Sequence, residues 1–179
     1  ARIAPVKKVI GVVPVGLDES FLPLVVGQQY TINVGSRDIQ TGWSGVLEYP
    51  GQSGADDYRA TARDGYYNPV AIGDLYSKAP GNLSGPTIQG INDRMTAGET
   101  WDNYHPDSTR IALVPIYHVQ GSQPADKVRI VAFASVFLEQ VVGNGTVSEI
   151  KVRYINHTVI GDTDDSLTNS HLNGVRLVQ

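Results

Sequence analysis

The chain has 179 residues, which is enough for one ordinary domain with a hydrophobic core of its own. Its 14 basic residues are outnumbered by 18 acidic ones, so the composition carries no basic footprint for nucleic acid. No apolar run approaches the roughly 18 residues that a membrane-spanning helix requires. We therefore expect neither a nucleic-acid partner nor a membrane span in this chain.

The hydrophobic residues are mostly β-branched, with 22 Val and 13 Ile against 11 Leu. Such side chains favour the pleated surface of a sheet, and the 19 Gly and 10 Pro supply turns. The composition predicts a mainly β fold: an antiparallel β-sandwich or barrel-like domain with two short helices. Cysteine is absent, which excludes disulfides, thiolate metal sites and cysteine nucleophiles.

Short apolar runs and both predicted helices lie in the N-terminal half. The runs predict strands over residues 9–15, 22–26, 30–34 and 43–49. A first helix is predicted over 55–64, with Asp56 and Asp57 at the positive end of its dipole. A second is predicted over 86–96, where Pro86 occupies the first helical position.

The C-terminal half contains the strongest strand signals, over residues 111–119, 128–142 and 147–155. Asn144-Gly145 predicts a hairpin turn between the last two of these strands. Further strands are predicted over 158–160 and 174–178. We expect residues 1–15 to form an N-terminal strand segment and residues 16–179 to form a single β-rich domain.

Sequence motifs for catalysis are missing. There is no GxSxG, HExxH or P-loop pattern, and the four histidines are never paired at metal-ligand spacing. We expect a protein that is not an enzyme. A zinc site or a Ser-His-Asp triad assembled from distant residues stays open as the less favoured alternative, because such groups need not be close in the chain.

An acidic loop near the C-terminus contains Asp162, Asp164 and Asp165. Oxygen ligands at alternating positions suit calcium, although the loop lacks the glycine and the final carboxylate of an EF-hand. A solvated turn is the favoured interpretation, and a structural calcium ion is the alternative. We expect no other cofactor.

Aromatic residues cluster between positions 43 and 76. Exposed aromatics in such a cluster could stack on sugars or contact a protein, and Trp43, Tyr66 and Tyr67 are the candidates for this binding role. The alternative, which we favour, is that the aromatics pack the two helices against a sheet.

Several motifs occur in a recognisable order along the chain. They are Gly65-Tyr66, VAIGD at 70–74, PGNLSGPT at 80–87, RIALVPI at 110–116, VAFASVFLEQVV at 131–142 and GVRLV at 174–178. In this order the chain resembles the extracytoplasmic region of TadE/TadG-like proteins, which are Flp pilus-assembly components of bacteria. The segment at 80–87 is the most specific part of the resemblance, and it is typical of a turn into a helix.

The resemblance implies a non-enzymatic, secreted or cell-surface bacterial protein with a structural role. We expect a subunit of a pilus or other extracellular filament, with copies of the same chain as its partners. The alternative is a monomeric, adhesin-like binding module. Members of the family usually have an N-terminal membrane helix that this sequence lacks, and we expect that helix to have been removed or never present.

Residues 6–15 are the candidate segment for self-assembly, and they are apolar enough to require a cover. The candidate contact residues are Val9, Ile10, Val12, Val13 and Val15. Donation of this strand to the sheet of a neighbouring subunit would cover it and would build a filament. Pairing within the sheet of its own chain would cover it equally well, so both alternatives stay open.

Overall fold

The structure is a computed structural model, and it describes residues 2–35, 46–79, 83–95, 97–121, 127–143, 148–156, 158–160, 162–163 and 173–176. Within these residues the strands are β1 (Arg2–Val9), β2 (Leu17–Asp18), β3 (Gln29–Val34), β4 (Val70–Ala71), β5 (Leu75–Ser77), β6 (Ile111–Gln120), β7 (Lys127–Gly143), β8 (Ser148–Ile155), β9 (Thr158–Ile160), β10 (Asp162–Thr163) and β11 (Asn173–Arg176). The helices are α1 (Gly54–Asp64) and α2 (Ser84–Arg94).

The larger sheet has six strands and curves into a nearly closed barrel. Its order is β2-β6-β7-β8-β3, and β5 pairs with the first residues of β7. All neighbours are antiparallel except β2 and β6, which run parallel. A register shift beside Ile116 leaves Val131 as an extra residue of β7, so Ile130 and Phe133 face the same side of the sheet.

The smaller sheet contains β1 at its centre. It has the order β10-β1-β11-β9, and β4 pairs with the last two residues of β1. The N-terminal strand is therefore paired with strands from the far end of its own chain as well as with the segment that follows α1.

The two helices pack closely against each other because Gly90 has no side chain. A Cβ atom at this position would lie 2.3 Å from the carbonyl oxygen of Arg59 and 2.7 Å from the Cβ of Ala62. The Nε of Arg59 also donates to Asp93 at 2.9 Å across the helix pair. Gly65, with a φ of 83°, ends α1.

Two hydrophobic cores form on opposite faces of β7. The aliphatic core lies between the barrel and the helices and includes Ile88, Ile91, Val114, Val136, Leu138, Ile150, Val152 and the ring of Tyr58. The tyrosine core lies between the barrel and the segments near β1 and includes Val6, Val9, Val12, Leu47, Tyr49, Tyr66, Val70, Tyr76, Tyr117, Ile130 and Phe133.

Most of the expected architecture is confirmed. The fold is mainly β with a barrel-like sheet, and two short helices lie close to the predicted positions. Strands are present where residues 30–34, 111–119, 128–142 and 147–155 predicted them. Among the described residues, neither helix is long and apolar enough to cross a membrane.

Two strand predictions in the N-terminal half are wrong. The strand predicted over 9–15 ends at Val9, because Gly11 has a φ of 96° and turns the chain out of the sheet. The run at 22–26 is a loop instead of a strand. Most of the strand predicted over 43–49 lies outside the described residues, and Leu47 forms an isolated bridge with Lys78.

Residues 6–15 pair within their own chain, which is the second of the two alternatives for this segment and not donation to a neighbouring subunit. Val9 pairs with Val70, and Val12 forms a parallel bridge with Leu113 of the same chain. The Val13 amide donates to the carbonyl of Leu113 at 2.9 Å. Much of the segment 6–15 is therefore paired within its own chain, and its valines are covered there.

Candidate functional site

The residues proposed for self-assembly fall into two groups. Four are buried in the cores of their own subunit, and these are Val9, Val12, Val13 and Val15. Their apolar side chains stabilise the monomer and leave no surface for a partner. Ile10 is the exception, because 58% of its surface is exposed to solvent.

Three members of the predicted aromatic cluster, Tyr49, Tyr66 and Tyr76, lie in the tyrosine core. The ring of Tyr66 stacks on that of Tyr49 with centroids 4.5 Å apart, and the ring of Tyr76 meets Tyr49 edge-on at 5.0 Å. The hydroxyl of Tyr66 donates to the carbonyl of Pro50 at 2.6 Å, and that of Tyr49 donates to the carbonyl of Val13 at 2.9 Å. These residues therefore pack inside the protein, as the favoured interpretation expected, but between the barrel and the segments near β1 and not between the two helices and a sheet.

Two of the three aromatic binding candidates lie within the described residues, and one of these two is exposed. Tyr66 is buried, so its expected role on a binding surface is wrong, because its ring faces are covered by protein. Tyr67 keeps 64% of its surface in solvent and lies 5.0 Å from the Tyr66 ring. Trp43 lies outside the described residues.

Burial changes the acidity of the enclosed tyrosines. Burial raises the pKa of Tyr49 well above its ordinary value, and the neighbouring Tyr76 and Tyr66 add to the rise. Burial followed by the hydrogen bond to Asp74 raises the pKa of Tyr76. These hydroxyls are neutral hydrogen-bond donors at physiological pH and serve the packing of the core.

The expected acidic metal site is only partly within the described residues. Asp162 lies in β10, where it pairs with Lys8 of β1, and Asp164 and Asp165 lie outside. Within the part of the chain that the structure describes, no three His, Asp or Glu residues are grouped so that they could hold a metal ion.

The loop before β6 contains Glu99, His105 and Ser108, which are residue types found in the catalytic triads of hydrolases. Their hydrogen bonds are not those of a triad. The hydroxyl of Ser108 donates directly to the carboxylate of Glu99, and the backbone amide of His105 donates to the same carboxylate at 3.2 Å. His105 is exposed. These bonds join the two ends of the loop, so the arrangement stabilises the loop conformation.

A first exposed apolar surface, the β1 patch, consists of Ile10 and Tyr67. The Gly11 amide donates to the carbonyl of Tyr66 at 2.9 Å, and the Tyr66 amide donates to the carbonyl of Val12 at 2.8 Å. This pair of bonds holds the two chain segments side by side, with Ile10 and Tyr67 next to the bonded residues. The two exposed side chains therefore lie on neighbouring segments of a fixed backbone.

A second exposed apolar surface, the loop patch, lies between β2 and β3. Its members are Phe21, Val25 and Val26, which are 40%, 55% and 59% exposed. The sequence from 21 to 26 contains no polar residue. Sequence reasoning interpreted this run as a strand, because an apolar run is the usual sign of burial.

The loop patch is held in place by its neighbours. Leu24 is buried in the aliphatic core, and the Val25 amide donates to the hydroxyl of Tyr30 at 2.9 Å. The Gly27 amide donates to the carbonyl of Tyr154 at 2.9 Å, which ties the loop to β8. The exposed side chains are therefore presented by a backbone with a defined conformation.

The charges beside the two patches have opposite signs. Glu19, two residues before Phe21, has a half-exposed carboxylate in contact with His118. Lys8, two residues before Ile10, is exposed, and its register partner on β10 is Asp162. The loop patch is thus bordered by an acidic side chain and the β1 patch by a basic one.

A further aromatic group covers the outer face of the barrel near the end of β7. Tyr104 packs on Phe137 with ring centroids 4.8 Å apart, and Trp101 lies 6.0 Å from the same ring. The guanidinium of Arg153 lies 5.6 Å from the centre of the Trp101 ring and donates to Glu139 at 2.6 Å. These contacts bury Phe137 fully, and they have no counterpart in the sequence predictions.

No family model matches this chain, and no curated protein or solved structure matches it. The exposed patches are therefore interpreted from their own geometry and chemistry.

Proposed function

We propose that the chain is a non-enzymatic structural protein of the cell surface or extracellular space, and that it is a subunit of a pilus or other filament. The observation that carries this proposal is the loop patch. An apolar run exposed on a fixed loop is typical of a surface that another protein covers, because soluble monomers keep such patches small.

The fixed conformation of the loop favours a permanent contact in an assembly over a binding surface that adapts to different partners. Its backbone is bonded to β3 and β8, so little conformational entropy is lost when a partner binds. The resemblance to TadE/TadG-like proteins supports a pilus as the kind of assembly. Because residues 6–15 are used within the subunit, the proposed assembly joins folded subunits through their surfaces.

Sedimentation velocity and negative-stain electron microscopy of the purified protein test this function. We expect the apparent mass to rise between low-micromolar and near-millimolar concentrations, and filaments or short oligomers to form at the high end. A protein that stays monomeric over the whole range would contradict the proposal and would favour the monomeric binding module.

A further inference from the structure

We propose that the loop patch of one subunit binds the β1 patch of a second copy of the chain, in a head-to-tail contact. This inference rests on the proposed function and identifies the partner of the loop patch. The two patches together contain five exposed apolar side chains, which are Phe21, Val25 and Val26 on one side and Ile10 and Tyr67 on the other.

The patches are carried by different parts of the fold. Ile10 directly follows β1, the central strand of the smaller sheet, and Tyr67 lies between α1 and β4. The loop patch follows β2 and is bonded through Gly27 to β8 of the barrel. They are thus distinct surfaces, and one subunit could use both at the same time with two different neighbours.

Charge selects the head-to-tail arrangement. A contact between two loop patches would bring the acidic borders at Glu19 together, and a contact between two β1 patches would bring the Lys8 side chains together. Like charges at an interface disfavour such pairings, whereas the mixed contact places Lys8 near the partner's acidic border. The same subunit therefore offers two complementary surfaces instead of one self-complementary surface.

The size of the patches predicts a weak single contact. A few exposed side chains cover less than the roughly 800 Å² per partner that stable complexes bury. Polar residues around the patches must complete the interface, and association must depend on concentration. A contact between two different surfaces does not close on itself as a two-fold dimer does, so repetition gives a ring or an open filament.

Two single substitutions test the contact from each side. Val26→Lys places a cation in the loop patch, opposite the expected position of Lys8. Ile10→Glu places an anion in the β1 patch, opposite the acidic border. Both residues are more than half exposed, so we expect both variants to fold like the native chain, as circular dichroism and thermal unfolding will verify.

We expect each variant alone to weaken self-association at least about tenfold in sedimentation experiments. Val142→Lys and Leu75→Glu are the matched controls, because they place the same charges on exposed residues outside both patches. The controls should associate like the native chain.

Mixing the two variants tests the direction of the contact. The Val26→Lys subunit keeps an intact β1 patch, and the Ile10→Glu subunit keeps an intact loop patch. An equimolar mixture should therefore form complexes that neither variant forms alone, with one copy of each variant at every native contact.

The outcomes separate the inference from the proposed function. A native chain that never associates overturns both. A native chain that associates while Val26→Lys and Ile10→Glu behave like the controls overturns the inference alone. Loss of association in Val26→Lys but not in Ile10→Glu indicates a different partner for the loop patch and also overturns the head-to-tail contact.

Discussion

The aliphatic core and the tyrosine core share strand β7, whose alternate side chains enter one or the other. In the tyrosine core, the hydroxyls of Tyr49, Tyr66 and Tyr76 each donate to a protein oxygen. In the aliphatic core, the buried hydroxyls of Tyr58 and Thr87 have no hydrogen-bond partner among the described residues.

This difference in hydrogen bonding indicates that the two cores are stabilised in different ways. The helix side of the aliphatic core depends on shape, since α1 and α2 approach closely enough that a Cβ at Gly90 would clash. At the edge of the same core, the Tyr30 hydroxyl accepts from the Val25 amide. The tyrosine core depends on directed bonds that fix loops without regular structure, such as the segment around Val13. The two cores should therefore respond to different perturbations.

Alkaline pH should produce the largest effect, and it should weaken both cores. Burial raises the pKa of Tyr58 to about 12, and it raises the pKa of Tyr49 and Tyr154 above their ordinary value near 10. Above about pH 10 the unfolded chain loses these protons while the folded chain keeps them, so the free energy of unfolding falls as pH rises. Each such tyrosine contributes at most about 1.4 kcal/mol per pH unit.

Urea unfolding followed by circular dichroism will measure this dependence. We expect a plateau from about pH 7 to about pH 9, where tyrosines are protonated in both states, and a steep loss of stability above about pH 10. A free energy of unfolding that stays constant from pH 9 to pH 11 would contradict the assignment of raised pKa values to these residues.

Gly90→Ala should break the aliphatic core alone. The new Cβ would lie 2.3 Å from the carbonyl oxygen of Arg59, so the helices must move apart. We expect a loss of about 3 kcal/mol in the free energy of unfolding, measured by urea denaturation. Gln89→Ala is the control, because Gln89 is exposed on the same helix and should change stability by less than about 0.5 kcal/mol. A loss in Gly90→Ala no larger than in the control would show that the helices do not pack this closely.

The regular parts of the fold could be predicted from sequence because their signals are local. Strong apolar runs sufficed for β7 and β8, and an acidic first turn with a final glycine indicated α1. The turn predicted at Asn144-Gly145 lies outside the described residues. The strand β1 lies within the N-terminal strand segment expected over residues 1–15. The apolar run placed the strand too late, at 9–15, because Pro5 and the Lys7-Lys8 pair interrupt the expected pattern and the partners of β1 lie far away along the chain.

The exposed patches could be predicted only in part. The run at 21–26 has the composition of a buried strand, and only the tertiary structure shows that Leu24 is buried while Val25 and Val26 are exposed. Tyr66 and Tyr67 are adjacent residues of the same type, so no sequence pattern tells which one faces solvent. Of the five residues proposed for self-assembly, Ile10 is exposed and the four valines are buried in the cores, and no pattern in this apolar run distinguishes them.

Tyr49→Phe should weaken the tyrosine core by a moderate amount. The substitution keeps the ring and its stacking on Tyr66 but removes the donor to the carbonyl of Val13, at 2.9 Å in the native chain. Loss of a buried hydrogen bond costs about 1 to 2 kcal/mol. Chemical denaturation at neutral pH will measure it, and a variant as stable as the native chain would show that the bond does not hold the segment.

Tyr58→Phe should change the free energy of unfolding least, and in the direction opposite to Tyr49→Phe. The two variants remove the same hydroxyl from the two cores, so together they test the comparison between the cores. The Tyr58 hydroxyl is buried in the aliphatic core without a hydrogen-bond partner among the described residues, so the native state bears its desolvation cost. Removing the hydroxyl should leave stability at neutral pH unchanged or raise it by up to about 1 kcal/mol. The same variant should lose less stability above about pH 10, because one tyrosine with a raised pKa has been removed. A destabilisation equal to that of Tyr49→Phe would contradict the distinction between the cores, since it would mean that directed bonds also hold the aliphatic side of β7.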